Sequence, residues 1–190
     1  MEISPLQQLR HGYKPKLPKI LSEDITTIAA VFGEKTAPKR DQDLIRALFP
    51  HTYGKSRVSF AKGPNPAIGE KRNVAVILSG GQAPGGHNVI SGIFDALKAA
   101  NPENLLYGFK GGPSGILEDS YRIIDSEYLD PYRNTGGFDI IGSGRTKLET
   151  LEQFERCAEV CLSHDISALV IIGGDDSNTN AAVLAEYFLE

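Results

Sequence analysis

From residue 74 onward, apolar residues fall into two alternating kinds of run. Val74-Ala75-Val76-Ile77-Leu78 is continuously apolar, as a strand covered on both faces should be. Leu105-Leu106-Tyr107-Gly108-Phe109, Phe138-Asp139-Ile140-Ile141 and Ala168-Leu169-Val170-Ile171-Ile172 predict three more strands. Helical spacing separates them. A helix is predicted from about Asn88 to Ala100, with Val89, Ile93, Ala96, Leu97 and Ala100 inward. A capping box of Thr146 and Glu149 predicts a second, with Leu151, Phe154, Ala158, Cys161 and Leu162 along one side. Ala181, Leu184, Ala185 and Phe188 predict a third that is still running at Glu190, with no glycine or proline to stop it. Strands and helices alternating at roughly 30-residue intervals predict an α/β fold with a doubly wound parallel sheet.

Residues 1–70 follow another pattern. They hold seven of the eleven prolines, and Lys14-Pro15-Lys16-Leu17-Pro18-Lys19 reads as extended and basic. Ser22, followed by Glu23 and Asp24, predicts a short helix whose apolar face is Ile25, Ile28, Ala29 and Phe32 and whose stop is Gly33. A second short helix is predicted after Asp41, with Leu44, Ile45, Leu48 and Phe49 as its stripe before Pro50. Two short helices bury too little to stand alone, so residues 1–70 are expected to form a helical and extended arm on a body. Gly63-Pro64-Asn65-Pro66 marks the linker, and residues 71–190 the body. A sheet ending at this point leaves a strand edge and a helix face open. The expectation is the front part of a longer domain, truncated at its C-terminus.

Composition narrows the class. A length of 190 residues suffices for one domain with a real core. The net charge of −4 excludes nucleic-acid binding through a basic surface. No apolar run approaches the roughly 20 residues of a membrane helix, and Met1-Glu2-Ile3-Ser4-Pro5 has no secretory apolar region. Cys157 and Cys161 stand at helical spacing, with no histidine or cysteine set to complete a zinc site. Buried, reduced thiols and a cytoplasmic setting are expected.

Candidate chemistry concentrates at three strand ends, where ligands bind in such sheets. The first turn, Ser79-Gly80-Gly81-Gln82-Ala83-Pro84-Gly85-Gly86-His87-Asn88, lacks the Lys-Ser/Thr pair of a Walker loop and the Rossmann glycine spacing. Its glycines and the helix start behind them suit an anion, or else simply a tight turn. His87 pairs with a phosphate or, preferably, with the loop backbone. In the second, Gly142-Ser143-Gly144-Arg145-Thr146-Lys147, Arg145 offers a planar fork for phosphate and Lys147 a point charge, against the alternative of solvated surface charges. The third is Gly173-Gly174-Asp175-Asp176-Ser177. Its adjacent carboxylates repel one another and favour a cation, as in phosphoryl-transfer sites; one of them, or Ser177, alternatively caps the last helix.

The three turns in this order resemble the phosphofructokinases, and most of all the long, pyrophosphate-dependent branch. Ser4-Pro5-Leu6-Gln7 and the proline-rich stretch behind it are similar to that branch's N-terminal extension, so the likeness runs over nearly the whole chain. The resemblance implies that Gly80 and Gly81 meet the phosphoryl donor, that Asp175 holds magnesium (Mg2+), and that Arg145 faces the transferred phosphate. Asp176 stands where the ATP-using branch usually has glycine. There its side chain is implied to occupy the α-phosphate position, excluding ATP and helping the pyrophosphate reaction. A carboxylate held against a phosphate repels it, which independently disfavours the longer donor. The family's general base lies in a downstream Thr-Ile-Asp-x-Asp motif, with most of the sugar pocket, and the chain stops before it.

The expected function is therefore magnesium-dependent, reversible phosphoryl transfer from pyrophosphate to fructose 6-phosphate. These residues would carry the donor and metal half, inactive alone. A homodimer or a larger homo-oligomer is implied by the resemblance. The alternatives are a non-catalytic regulatory subunit of the same enzyme and an ATP-dependent sugar kinase sharing the Gly-Gly-Asp turn.

Overall fold

The N-terminal arm is built around a β-ribbon, where the sequence predicts a helix. The computed structural model describes residues 4–14, 16–63 and 69–190. Helix α1 (Pro5–Gly12) opens with Pro5 in its first turn and a capping box in which Ser4 and Gln7 satisfy each other's backbone N–H. Ser22 starts no α-helix. Asp24 caps a single 3-10 turn, Ile25–Thr27, and Ile28–Lys35 continues as strand β1. The β-branched residues Ile25, Thr26, Thr27, Ile28 and Val31 lose side-chain freedom in a helix and suit a strand. Their partner, unread in the sequence, is antiparallel β2 (Ser56–Lys62), which pairs Ala30 with Phe60 and Phe32 with Val58. Between them, α2 (Gln42–Leu48) lies where the pattern after Asp41 places it. Residues 64–66 of the expected linker fall outside the described residues.

The body follows the expected alternation more closely. Strand β3 (Asn73–Leu78) leads through α3 (Gly86–Ala100) to β4 (Leu105–Phe109). A short α4 (Ser114–Leu117), strand β5 (Tyr121–Ile124) and a short α5 (Ser126–Leu129) come next. Then α6 (Leu151–Ser163), β6 (Ile166–Ile172) and α7 (Asp175–Leu189) complete the chain. The sheet order is β5-β4-β3-β6. Strands β4 and β6 run parallel to β3, while β5 pairs antiparallel with β4, so a parallel core carries an unpredicted antiparallel edge.

Every residue of β3 is buried, because helices cover both faces of the sheet. Val74, Val76 and Leu78 point into one core with Ile90 and Phe94 of α3. Ala75 and Ile77 point into the other with Cys157, Val160 and Cys161 of α6 and Leu184 of α7. This two-sided winding is the expected architecture. Burial raises the thiols of Cys157 and Cys161 to about 12 and about 11, so both are free and unreactive core residues. No helix among the described residues is long and apolar enough to cross a membrane.

Four local readings are corrected. Phe138, Ile140 and Ile141 are buried but form no strand, because β5 occupies the position beside β4. The cap of α6 is Thr150 with Gln153, four residues beyond the expected Thr146 with Glu149. Leu151 and Leu162 accordingly face out, Leu162 at 80% exposure. In α3 the buried residues are Gly86, His87, Ile90, Ser91 and Phe94; the expected Ile93 and Leu97 pack against the core partly buried, whereas Val89 is 44% exposed. Drawing His87 inward turns the helix by about one residue from the expected face.

Polar groups fasten α1 and the segment after α2 to the sheet and its helices. Asn134 donates from Nδ2 to the carbonyls of Arg10 (3.1 Å) and Tyr13 (3.0 Å), receiving the C-terminal end of α1. Glu186 of α7 accepts from the backbone of His51 and Thr52 and from Thr52 Oγ1. Burial alone would raise its carboxyl, but these bonds outweigh that and hold it below its usual range.

Candidate active site

All three glycine turns predicted from sequence lie at the carboxyl edge of the parallel strands, and backbone contacts bind them together. After β3, Ser79 donates its N–H to Ile172 O at the end of β6 (2.8 Å), and Gly80 donates to Gly144 O (2.7 Å). Gly80 has a φ of +98°, a conformation that disfavours any side chain. A Cβ on Gly81 would lie 2.7 Å from Arg145 Nη2, so the guanidinium rests against that backbone. Ser177 Oγ donates to Ser79 Oγ at 2.8 Å in a buried bond that locks the start of α7 to the end of β3.

The result is a cleft of about 600 Å³ between β3 and β6, where the strand order changes direction. Gly80, Gly81, Arg145, Asp175 and Asp176 all line it. Asp175 and Asp176 form the exposed first turn of α7. The N-cap is Gly174, which offers no side-chain cap, so neither carboxylate nor Ser177 caps this helix. Arg145, Asp175 and Asp176 take no part in the ion pairs found among the described residues. Uncapped N–H groups, a free planar cation and two carboxylates thus share one opening. Such a set can hold a polyanion together with its counter-ion.

A smaller cavity of about 190 Å³ opens on the far side of Arg145 and Asp176. Lys147 lines this cavity and not the larger cleft. Asn180 closes it by bonding to both the N–H and the carbonyl of Leu148, which stitches α7 to the loop carrying Arg145. His87 stands apart from both spaces. It is 2% exposed, and its Nε2 accepts from the N–H groups of Asp139 (3.0 Å) and Ile140 (3.1 Å). The backbone reading of His87 is the one observed.

Sequence reasoning missed a fourth turn. Gly111 and Gly112, following β4, have φ of +71° and +88°; a Cβ on Gly112 would run into the backbone of Gly144, and one on Gly144 into the carbonyl of Gly111. The Lys110-Gly111-Gly112-Pro113 run straight after a predicted strand was the available signal. The roles of Ser79, Ser177 and Asn180 had none, since each depends on a partner about 30 to 100 residues away.

Residues 73–189 match the family Phosphofructokinase. The chain belongs to the phosphofructokinase family. It is 53% identical over 188 residues to the pyrophosphate–fructose 6-phosphate 1-phosphotransferase of Porphyromonas gingivalis, covering 99% of this chain and 34% of that one. Against the protein of the same name from Treponema pallidum (strain Nichols) the identity is 48%, covering all of this chain and 35% of the relative. Among solved structures, Pichia pastoris phosphofructokinase in the T-state superposes with a TM-score of 0.52 at 27% identity, over 71% of this chain and 15% of that one. The chain thus spans about a third of the length of the relatives it matches.

Phosphofructokinase membership directs attention to magnesium, and the donor set fits it. Among the described residues no three of His, Cys, Asp or Glu gather into an all-protein cage. Asp175 and Asp176 instead offer adjacent carboxylates in an open cleft. That suits an ion that takes one or two carboxylates and completes its shell with phosphate oxygens and water.

The Gly81–Arg145 contact yields a direct test of the phosphofructokinase cleft. In Gly81→Ala the new methyl meets only the far end of a flexible side chain, so the fold yields cheaply while the guanidinium must move. Unfolding is expected to stay near wild type, with turnover of the full-length protein falling by about 10²-fold, the scale of a misplacement of roughly 1 Å. Steady-state kinetics beside thermal denaturation check this; a large loss of stability with intact turnover contradicts it.

Proposed function

We propose that the full-length protein reversibly transfers a phosphoryl group from pyrophosphate to the 1-hydroxyl of fructose 6-phosphate, in a reducing, cytoplasmic setting. These residues supply the donor and metal half of the site. The observation that carries the reading is the convergence of Gly81, Arg145 and Asp175–Asp176 on one cleft. The relatives named above give it the substrate pair. Asp175, assisted by Asp176, would hold magnesium, which would neutralise charge on the donor oxygens. Gly80 and Gly81 admit the donor against the backbone, with no Cβ in its way. The N-terminus of α7 and the fork of Arg145 stabilise negative charge as the phosphoryl group moves. On this reading the base that takes the sugar proton, and most of the sugar pocket, come from residues other than these.

Asp176 sets the donor. Its carboxylate lines both the main cleft and the side cavity, so a longer phosphate chain running from one toward the other meets a like charge. Asp176→Gly is expected to turn over ATP measurably, and to lower the preference for pyrophosphate over ATP in kcat/KM at least about tenfold, or some 1.4 kcal/mol. Donor competition assays on the full-length protein measure it. Faster wild-type turnover with ATP than with pyrophosphate would overturn the assignment.

A further inference from the structure

Among the buried ionisable groups that the mechanism above leaves unused, His87 lies nearest the donor turn in the chain. His87 lies in the first turn of α3, one residue after Gly86, yet its side chain turns inward and its bonds fix its tautomer. Nε2 accepts two backbone N–H bonds, from Asp139 and Ile140, and so carries no hydrogen. Nδ1 lies 2.6 Å from Thr135 Oγ1, whose own hydrogen goes to the Tyr132 carbonyl at 2.6 Å. The ring is therefore neutral and protonated on Nδ1, donating to Thr135.

Around this ring two main-chain stretches are sewn together. Gly85 N–H bonds Gly136 O and His87 N–H bonds Gly137 O, both at 2.9 Å. Gly137 approaches so closely that a Cβ there would lie 2.5 Å from His87 Cε1. One stretch is the glycine turn that begins at Gly80. The other runs through Phe138–Ile141 to Gly144 and Arg145, whose guanidinium returns to touch Gly81. We infer that His87 is a positioning residue for the donor cleft: its neutral imidazole ties the glycine turn to the segment that delivers Arg145. This rests on the proposed function for its substrate, but not for its geometry.

Protonation at Nε2 would aim a hydrogen at two N–H donors and break the tie. Asp139 Oδ1 stands 2.9 Å from Nε2, but its side chain is 66% exposed and the acceptor role of Nε2 leaves no hydrogen to share. The other titratable group facing the ring is Tyr132, edge-on at 5.0 Å. Arg133, between them in the chain, is turned away to Asp95 and Asp130. Burial outweighs the opposing pull of Asp139 and lowers the imidazole from its ordinary 6.5. The tie accordingly holds at neutral pH and fails only below the ordinary imidazole value of 6.5.

The test uses the full-length protein with magnesium and pyrophosphate. His87→Ala is expected to raise KM for pyrophosphate roughly tenfold or more while KM for fructose 6-phosphate changes less than about threefold. His87→Gln presents a non-titrating carbonyl acceptor to the same N–H groups. It should restore KM for pyrophosphate to within about threefold and lose the acid limb shown by the wild type below pH 6.5. Wild-type kinetics in His87→Ala, or a Gln variant as impaired as Ala, or one that retains the acid limb, each overturns the inference. Should His87→Ala fail to fold, the pH profile of His87→Gln decides. Should the wild type not use pyrophosphate, the proposed function fails by itself. Imidazole 15N shifts then decide separately, an Nδ1–H tautomer persisting below pH 6.5 supporting the tie and its absence refuting it.

Discussion

Asp175→Asn in the full-length protein is expected to lower turnover with pyrophosphate by about 10³-fold, the upper end for removing one preorganised charge-stabilising group, while barely moving the unfolding midpoint. The two halves of this expectation come from the same turn of helix. Asp175 is exposed at the start of α7, makes no ion pair among the described residues, and leaves capping to Gly174. The fold loses only the favourable placement of one carboxylate near a helix N-terminus, about 0.3–1 kcal/mol. Asparagine keeps the shape and removes the charge that the proposed magnesium would require. Kinetics across a magnesium titration, beside thermal denaturation, measure both halves. Near-normal turnover at saturating magnesium would leave Asp175 as a surface residue and move the metal elsewhere.

How legible this site was in the sequence depended on how local its determinants are. Continuous apolar runs gave β3, β4 and β6 almost to the residue, because parallel strands covered by helices admit few polar positions, although β6 at the sheet edge is only partly buried. The turns behind β3 and β6 could be read because glycine pairs and adjacent aspartates are unusual where a buried strand stops. What failed was pairing. Val31 and Phe32 could be placed in a strand only by knowing that Val58 and Phe60 would come alongside. Phe138–Ile141 reads as a strand by composition, yet Tyr121–Ile124 takes the place beside β4 and leaves that apolar segment to be held by His87 and by Tyr128 Oη, which donates to the Ile140 carbonyl. Thr146 with Glu149 lost to Thr150 with Gln153 because the loop from Arg145 to Leu148 stays extended to line the site and bond Asn180. In each case a tertiary partner overrode a sound local preference.

Arg145→Ala should cost about 10³-fold in turnover, at the low end for an arginine that stabilises a transferring phosphoryl group. Arg145→Lys should recover only part of it, since an ammonium supplies charge without the planar pair of donors. The structure makes a stricter demand than either substitution alone. Gly81 has no reaction chemistry of its own beyond an unobstructed backbone, and the contact that a methyl there disturbs is with Arg145 Nη2. If the damage in Gly81→Ala arises because the guanidinium is pushed aside, Gly81→Ala adds little once that guanidinium is gone. The double variant should then lie within about threefold of Arg145→Ala, whereas independent contributions would multiply the two losses. Because both residues touch the same cleft, strict multiplication would mean that Gly81 acts on the donor directly and that its proximity to Arg145 is incidental. Near-equality of the single and double variants would instead place Arg145 at the donor, with Gly81 as the surface that keeps it there.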